Sequence, residues 1–191
     1  MSAPIKEKIL TSFEELSAEK GIRATTVDEL STRADISKRT LYRYFRSKEE
    51  IVDTFFARLM KDVDWQVNLL ITGKGDPVYK FKSIIGLLSK SLVPYQQLIV
   101  DDLCRYYPDI WAKFENFRES KLNFLEALVK EGIHQGYFRP LNPKLVSAGF
   151  LAIANTIIDP EFLADNSMTV SEAINQLADL FLFGVSIKGK I

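Results

Sequence analysis

The stretch that decides the fold covers residues 25–50 and reads TTVDELSTRADISKRTLYRYFRSKEE. Thr26 and Glu29 have the spacing of a capping box, in which each side chain satisfies a backbone N–H group at the start of a helix. Ser37 is of the residue type preferred at the N-cap of a second helix. Since only a short turn at residues 35–36 separates the two helices, the pattern predicts a helix-turn-helix.

The second of these helices, expected from Lys38 to about Phe45, has a buried and an exposed side. Leu41 and Phe45 are apolar and four residues apart, so both lie on one face of the helix, towards the core. Tyr44 fits a place in the core and a contact at the surface equally well. The outward side carries polar and basic side chains, those of Lys38, Arg39, Thr40, Tyr42 and Arg43.

Positive charge is concentrated in this stretch although the whole chain is neutral. The 191 residues include 25 Lys and Arg and 25 Asp and Glu, so the formal net charge is zero. Between Arg33 and Lys48, six basic residues accompany one acidic residue, Asp35, which leaves a local net charge of +5. Such a composition suits the DNA backbone, and the second helix of a helix-turn-helix enters the major groove. Composition alone leaves a solvated charged surface as the alternative.

Helical periodicity continues through the rest of the chain. Apolar residues recur three or four apart and no alternating pattern persists, so we expect an all-α protein of about nine helices. The first helix is predicted from Ile5 to Lys20, and a long helix from Lys48 towards Leu70. A loop is predicted at residues 159–169. Later helices are predicted to begin near Pro77, Pro94, Pro108, Pro143 and Thr169.

A family resemblance rests on the runs at residues 25–30 and 34–50. They resemble the DNA-binding signature of the TetR family of bacterial transcriptional regulators, and the resemblance covers about residues 5–52. Two positions depart from the family pattern, because Asp35 and Arg39 stand where the family usually has glycine. An aspartate can adopt the left-handed conformation of the turn. Arg39 departs from the family's usual scheme of base contacts.

The resemblance implies which side chains meet double-stranded DNA. It divides these side chains into one set that approaches phosphates and another that faces bases. A twofold homodimer would place two copies of the second helix about one DNA turn (~34 Å) or a multiple apart, so the operator should be a near-palindrome. The implied phosphate contacts are Thr26, Ser37, Thr40, Tyr42, Tyr44 and Lys48, and the implied base contacts are Lys38, Arg39 and Arg43.

Two apolar stretches near the end of the chain require burial on more than one side. At residues 145–158 and 177–187, apolar residues occur all round a predicted helix. The resemblance implies that these helices pair with their copies in a four-helix dimer interface. The expected interface residues are Ala148, Phe150, Leu151, Ala152, Ile157, Leu177, Phe181 and Gly184.

Aromatic residues concentrate after residue 50, where the resembled family places a ligand pocket among the middle helices. Most such residues serve equally well as core, and Asn155 in its apolar run needs a hydrogen-bond partner in a ligand, a backbone group or a symmetry mate. Few charges accompany them, so we expect a largely apolar small-molecule effector. The candidate effector residues are Trp65, Tyr95, Cys104, Tyr107, Trp111, Phe114, Phe117 and Asn155.

Other classes of function have little support. The lone His134 has no partners at metal-ligand spacing, and the sequence contains no G-x-S-x-G, P-loop or G-x-G-x-x-G motif. We therefore expect no enzyme, cofactor or metal site. The longest uncharged apolar run is shorter than the ~20 residues that span a bilayer, and a single cysteine fits a reducing cytoplasm.

Together these patterns predict a cytoplasmic, ligand-responsive DNA-binding regulator. We expect a three-helix DNA-binding domain with a helix-turn-helix at residues 1–47 and a helical dimerisation and effector-binding bundle at residues 48–191. The expected activity is that of a repressor released from its operator by a small apolar effector. The alternative is an all-helical adaptor that binds a protein or a membrane without binding DNA.

Overall fold

The computed structural model describes residues 4–92 and 97–187. Within those ranges the chain forms eleven α-helices and no strand, which confirms the all-α prediction. An antiparallel backbone bridge joins Phe138 to Ser186. The helices are α1 (Ile5–Lys20), α2 (Val27–Arg33), α3 (Lys38–Tyr44), α4 (Lys48–Thr72), α5 (Pro77–Leu92), α6 (Gln97–Tyr106), α7 (Pro108–Ser120), α8 (Leu122–His134), α9 (Pro143–Ile157), α10 (Pro160–Asp165) and α11 (Val170–Val185).

The described ranges hold two more helices than the nine predicted. The helix expected from Pro108 is divided at Lys121 into α7 and α8. The loop expected at residues 159–169 contains α10, whose N-cap Asp159 accepts a hydrogen bond from the Glu161 backbone N–H at 2.9 Å. An Asp or Asn before Pro also begins α5 and α9, so the signal for α10 was present in the sequence. The start predicted at Pro94 lies outside the described residues.

Contacts between residues divide the chain into two units. The first holds the chain up to Lys61 together with Leu98–Lys113, and the second holds Asp62–Gln97 and the chain from Phe114 onward. The first unit therefore contains α1–α3, the first half of α4, nearly all of α6 and the first half of α7. The expected functional boundary between residues 47 and 48 falls at the start of α4, inside the first unit, and stays a prediction.

The core of the first unit fixes α3 by its apolar side. Leu41 and Phe45 are 0% and 1% exposed, as the spacing predicts. The Phe13 ring of α1 packs edge-on against the Phe55 ring of α4, with their centroids 5.2 Å apart. Each such buried side chain stabilises the fold by about 1.5–3 kcal/mol.

The core of the second unit lies among α5, α8, α9 and α11. Helix α11 packs against α5 and α9, and α8 packs against the same two helices. The rings of Phe81, Phe150 and Phe181 form a cluster with centroids 5.0–5.8 Å apart.

The end of α11 is attached to the segment that follows α8. The Arg139 backbone N–H donates to the Val185 carbonyl at 2.8 Å, beside the Phe138 bridge. The Phe138 ring is 2% exposed and lies so close to Gly132 of α8 that a Cβ atom there would overlap the ring. With phenylalanine at position 138, glycine is therefore the residue that fits at position 132 without displacing the ring.

Candidate DNA-binding site

Helix α2 begins with the predicted capping box. The Thr26 hydroxyl accepts from the Glu29 backbone N–H at 3.3 Å, and the Glu29 carboxylate accepts from the Thr26 backbone N–H at 2.9 Å. The same carboxylate accepts from the Lys20 ammonium of α1. Hydrogen bonds from Lys20 and then from Thr26 stabilise the charged carboxylate and lower the pKa of Glu29 to about 2. These contacts attach α2 to α1.

The turn between α2 and α3 is made by a residue in the left-handed conformation. Asp35 has a φ of 53°, which confirms the expectation that aspartate takes this place. The Ile36 backbone N–H donates to the Ser31 carbonyl at 3.0 Å, and Ser37 then caps α3 by accepting from the Thr40 N–H at 3.1 Å. Local hydrogen bonds thus set the angle at which α3 leaves α2.

The outward face of α3 is basic and aromatic. Arg39 and Arg43 are exposed, and none of the described residues forms an ion pair with either. Tyr42 is 51% exposed and Tyr44 is 41% exposed, so Tyr44 lies at the surface and not in the core. Lys38 is also exposed, but its ammonium is paired with the Asp28 carboxylate of α2.

Four of the predicted phosphate contacts have partners within the chain. The Thr26 hydroxyl belongs to the capping box, and the Ser37 and Thr40 hydroxyls lie 2.9 Å apart in a hydrogen bond. Lys48 donates from Nζ to the Arg23 carbonyl at 3.0 Å. Burial lowers the pKa of Lys48, while the nearby Asp102 carboxylate acts in the opposite direction. Any contact between these groups and phosphate must share or replace the bonds within the chain.

The candidate effector residues are distributed over both units. Cys104, Tyr107 and Trp111 lie in the first unit and are half-buried, and burial raises the pKa of Tyr107. Tyr95 lies outside the described residues. The others lie in the second unit, where Trp65 is 64% exposed and Phe114, Phe117 and Asn155 complete the set.

The expectation that Asn155 finds a hydrogen-bond partner in a ligand, a backbone group or a symmetry mate stays a prediction. The Asn155 side chain is exposed on α9, beside Phe162 in a surface groove. Its exposure could not be predicted, because apolar residues all round a helix do not indicate which side faces solvent. Water can satisfy an exposed amide.

Helices α9 and α11 carry an exposed apolar face. Its large members are Leu145, Ile153, Leu180 and Phe183, which are 72%, 44%, 66% and 71% exposed. Of the residues predicted for a dimer interface, Ala148, Ala152 and Gly184 are exposed, whereas Phe150, Leu151, Ile157 and Phe181 are half-buried and Leu177 is buried within its own chain.

A polar cluster between α6 and the loop after α1 was missed in the sequence. Asp102, 8% exposed, accepts from the Arg23 backbone N–H at 2.8 Å, and the Arg23 guanidinium donates to the Tyr106 hydroxyl at 2.6 Å. A signal was present, because Asp102 lies between Ile99 and Leu103 on the buried side of α6, where a carboxylate needs partners.

The capped turn, the anchored α3 and its basic outward face define a helix-turn-helix DNA-binding domain, the kind found in bacterial transcriptional regulators. Residues 9–54 match the family of bacterial regulatory proteins called the tetR family. The chain therefore carries a DNA-binding domain of this family and is a transcriptional regulator.

Two relatives are similar in sequence to this chain well beyond residues 9–54. The chain is 23% identical over 181 residues to the uncharacterized HTH-type transcriptional regulator YvaF of Bacillus subtilis, covering 94% of this chain and 95% of that one. It is 32% identical over 127 residues to the HTH-type transcriptional repressor KstR2 of Mycobacterium tuberculosis, covering 64% of each chain.

Solved structures share the fold. The fatty acid degradation regulator FadR from Bacillus halodurans superposes with a TM-score of 0.71 at 20% identity, over 96% of this chain and 97% of that one. A transcriptional regulator from Cytophaga hutchinsonii gives 0.74 at 16% identity, over 95% and 98%. Among the described residues, none of the helices combines the length and apolarity needed to cross a membrane.

Proposed function

We propose that this chain is a homodimeric repressor that binds a near-palindromic operator and releases it when a small apolar effector binds. The observation that carries the proposal is the division of α3. Leu41 and Phe45 anchor one side in the core, while Arg39 and Arg43 extend from the other without partners among the described residues. A helix held in this way can enter the major groove without rearrangement of its own core.

Contacts with DNA are assigned by distance from the start of α3. The N-terminal residues of the second helix approach base edges, so Lys38 and Arg39 face bases and Arg43 follows one turn later. The guanidinium of Arg39 suits the two acceptors on the major-groove edge of guanine. Phosphate contacts fix the position of the domain on the duplex without determining sequence. They are assigned to Thr26, Ser37, Thr40, Tyr42, Tyr44 and Lys48.

Dimerisation is assigned to the exposed apolar face of α9 and α11. Leu145, Leu180 and Phe183 are each more than 60% exposed on two helices that pack against each other, and large exposed apolar side chains on neighbouring helices favour an interaction site. Apart from the adjacent backbone of its own helix, no described residue has an atom within 4 Å of where a Cβ would stand at Gly149 or Gly184, so a partner helix can approach closely. A twofold axis at this face would present two copies of α3 to successive turns of DNA.

The effector is assigned to an apolar class of compound. Two relatives by sequence or structure are named for fatty acid metabolism and for ketosteroids, and both names refer to largely apolar compounds. The effector would release DNA only if it binds more tightly to a conformation that no longer fits the operator. Helix α4 belongs to both units, residues 48–61 to the first and 62–72 to the second, and α7 is divided between them in the same way. The protein would act in the cytoplasm, where its DNA is.

The test is selection of binding sites from random duplex DNA, with sedimentation of the purified chain at micromolar concentration. We expect a dimer and an enriched near-palindrome whose half-sites lie about 10–10.5 base pairs apart or a multiple of that distance. The double variant Arg39→Ala, Arg43→Ala leaves Leu41 and Phe45 in place and should lose the enrichment at unchanged Tm. A monomer, or a chain that enriches no sequence, would contradict the proposal and favour the adaptor.

A further inference from the structure

The residues assigned to phosphate contacts supply little positive charge. Of the six, Lys48 alone is a cation, and its half-buried ammonium already donates to the Arg23 carbonyl at 3.0 Å. Lys38, at the start of α3, is paired with Asp28. The release of counterions that favours binding to DNA requires cationic side chains at the phosphates. Other exposed cations beside α3 are therefore needed for this part of the affinity.

Lys6, in the first turn of α1, is held beside the end of α3. Its ammonium lies 5.2 Å from the centre of the ring of Phe45, which is the C-cap residue of α3. The face of an aromatic ring attracts a cation, and this attraction restrains the long lysine side chain. Lys6 is exposed and has no ion-pair partner among the described residues. The next residue, Glu7, is paired with Arg58 of α4 and does not neutralise Lys6.

Arg46 extends from the same end of α3. It follows Phe45 directly, and its backbone N–H donates to the Glu50 carboxylate at 2.6 Å, which fixes the short loop before α4. Arg46 is exposed, and within the described ranges its guanidinium forms no ion pair. Lys6 and Arg46 are therefore two uncompensated cations next to one buried residue, Phe45.

The distance along α3 places these cations at the edge of the major groove. Helix α3 has seven residues and is about 10 Å long, and the groove is about 12 Å wide. When the start of α3 reaches the bases, its end therefore lies near one of the two phosphate backbones that border the groove. Both Lys6 and Arg46 lie at that end.

We propose that Lys6 and Arg46 form a second phosphate-binding site, at the end of α3 opposite the turn that joins it to α2. The inference rests on the proposed function, because it assigns further contacts with the same DNA. It extends the DNA-binding surface to Lys6, which precedes the residues 9–54 matched by the tetR family. Since phosphate contacts carry no sequence information, both cations add affinity for every duplex.

The experiment measures the slope of log K against log salt concentration by fluorescence anisotropy, on the selected operator and on a random duplex. We expect the slope to become shallower by about 0.9 in Lys6→Gln and in Arg46→Gln, on both duplexes, and by about twice that in the double variant. Lys6→Arg keeps the charge and should keep the wild-type slope. Lys8→Gln is the matched control and should also keep it, because residues two apart do not share a face of a helix.

A structural contact alone between Lys6 and Phe45 would lower Tm in Lys6→Gln and leave the slope unchanged. An unchanged slope in either glutamine variant, with a wild type that binds its operator, overturns the inference and leaves the proposed function intact. If Lys6→Gln does not fold, Arg46→Gln decides alone, since the guanidinium that it removes has no ion pair with the described residues. A wild-type chain that binds neither duplex contradicts the proposed function, and this inference with it.

Discussion

The Lys38 ammonium at the start of α3 forms an ion pair with the Asp28 carboxylate in the first turn of α2. Both side chains are exposed, so the pair is screened by water and salt and contributes about 0–1 kcal/mol to stability. Of the two adjacent basic residues proposed to contact bases, Lys38 is already paired within the chain, whereas Arg39 has no ion-pair partner among the described residues.

Removal of the Asp28 charge should strengthen DNA binding. In Asp28→Asn, Lys38 is free to contact DNA and a carboxylate no longer faces the phosphates. We expect tighter binding to all sequences, and the slope of log K against log salt concentration should become steeper by about one unit. Fluorescence anisotropy over a salt series measures both. Asp179→Asn on α11 changes the net charge equally, and an equal effect there would mean that the Asp28–Lys38 pair is irrelevant.

Substitutions at Arg39 should change base preference more than overall affinity. An arginine bound to guanine by two hydrogen bonds discriminates by about 1–3 kcal/mol. Arg39→Lys keeps the charge but loses the planar pair of donors, so it should retain affinity for random DNA and lose the preference at one base pair. Binding-site selection compares the variants. Identical base frequencies for wild type, Arg39→Lys and Arg39→Ala would show that Arg39 faces solvent or phosphate.

A charge on the apolar face of α9 should separate the dimer. Ala152 is exposed within the chain, and in Ala152→Glu a carboxylate would be buried without a partner at the interface. Such a charge costs roughly 3–5 kcal/mol, enough to produce monomers at micromolar concentration. Sedimentation velocity gives the result, with Ala112→Glu on the exposed side of α7 as control. A dimeric Ala152→Glu chain with full operator affinity would rule out this interface.

The two capping boxes should respond differently to acid. The pKa of Glu29 is lowered to about 2, so its stabilising effect is fully present above the ordinary value of 4.5 and is lost as the pH falls towards 2. Urea unfolding at pH 5 and pH 3 should show a larger loss of stability for wild type than for Glu29→Gln. In the capping box of α11, Thr169 alone lowers the pKa of Glu172. The loss of stability between pH 5 and pH 3 should therefore differ less between Glu172→Gln and the wild type.

A bulky side chain at Cys104 should interfere with the effector if the pocket includes α6. The Cys104 side chain is half-buried, and Cys104→Trp would occupy space that an apolar ligand needs. A long-chain fatty acid and a ketosteroid serve as probes, and release of a labelled operator is the readout. Cys104→Ala leaves the space open and should respond as wild type does. If Cys104→Trp also responds normally, the pocket lies elsewhere.

Local signals in the sequence were sufficient to predict the starts of α2 and α3 and the buried side of α3. Thr26, Glu29 and Ser37 act within four residues of themselves, so their capping roles could be predicted without tertiary contacts. The spacing of Leu41 and Phe45 likewise gave the buried side of α3.

Contacts between distant residues could not be predicted in the same way. Asp102 and Arg23 are 79 residues apart, and no local rule selects a partner at that distance. Asn155 shows a second limit, because a helix that is apolar all round carries no periodic signal for the side that faces solvent.

Gly132 and Phe138 form a pair whose sizes must change together as sequences diverge. Any side chain at position 132 would displace the Phe138 ring, which belongs to the residue whose backbone is bridged to Ser186 after α11. Homologues with alanine or serine at position 132 should therefore carry a smaller residue at position 138. The attachment of the end of α11, the helix that bears Phe183, thus requires compatible side-chain sizes at two positions outside that helix.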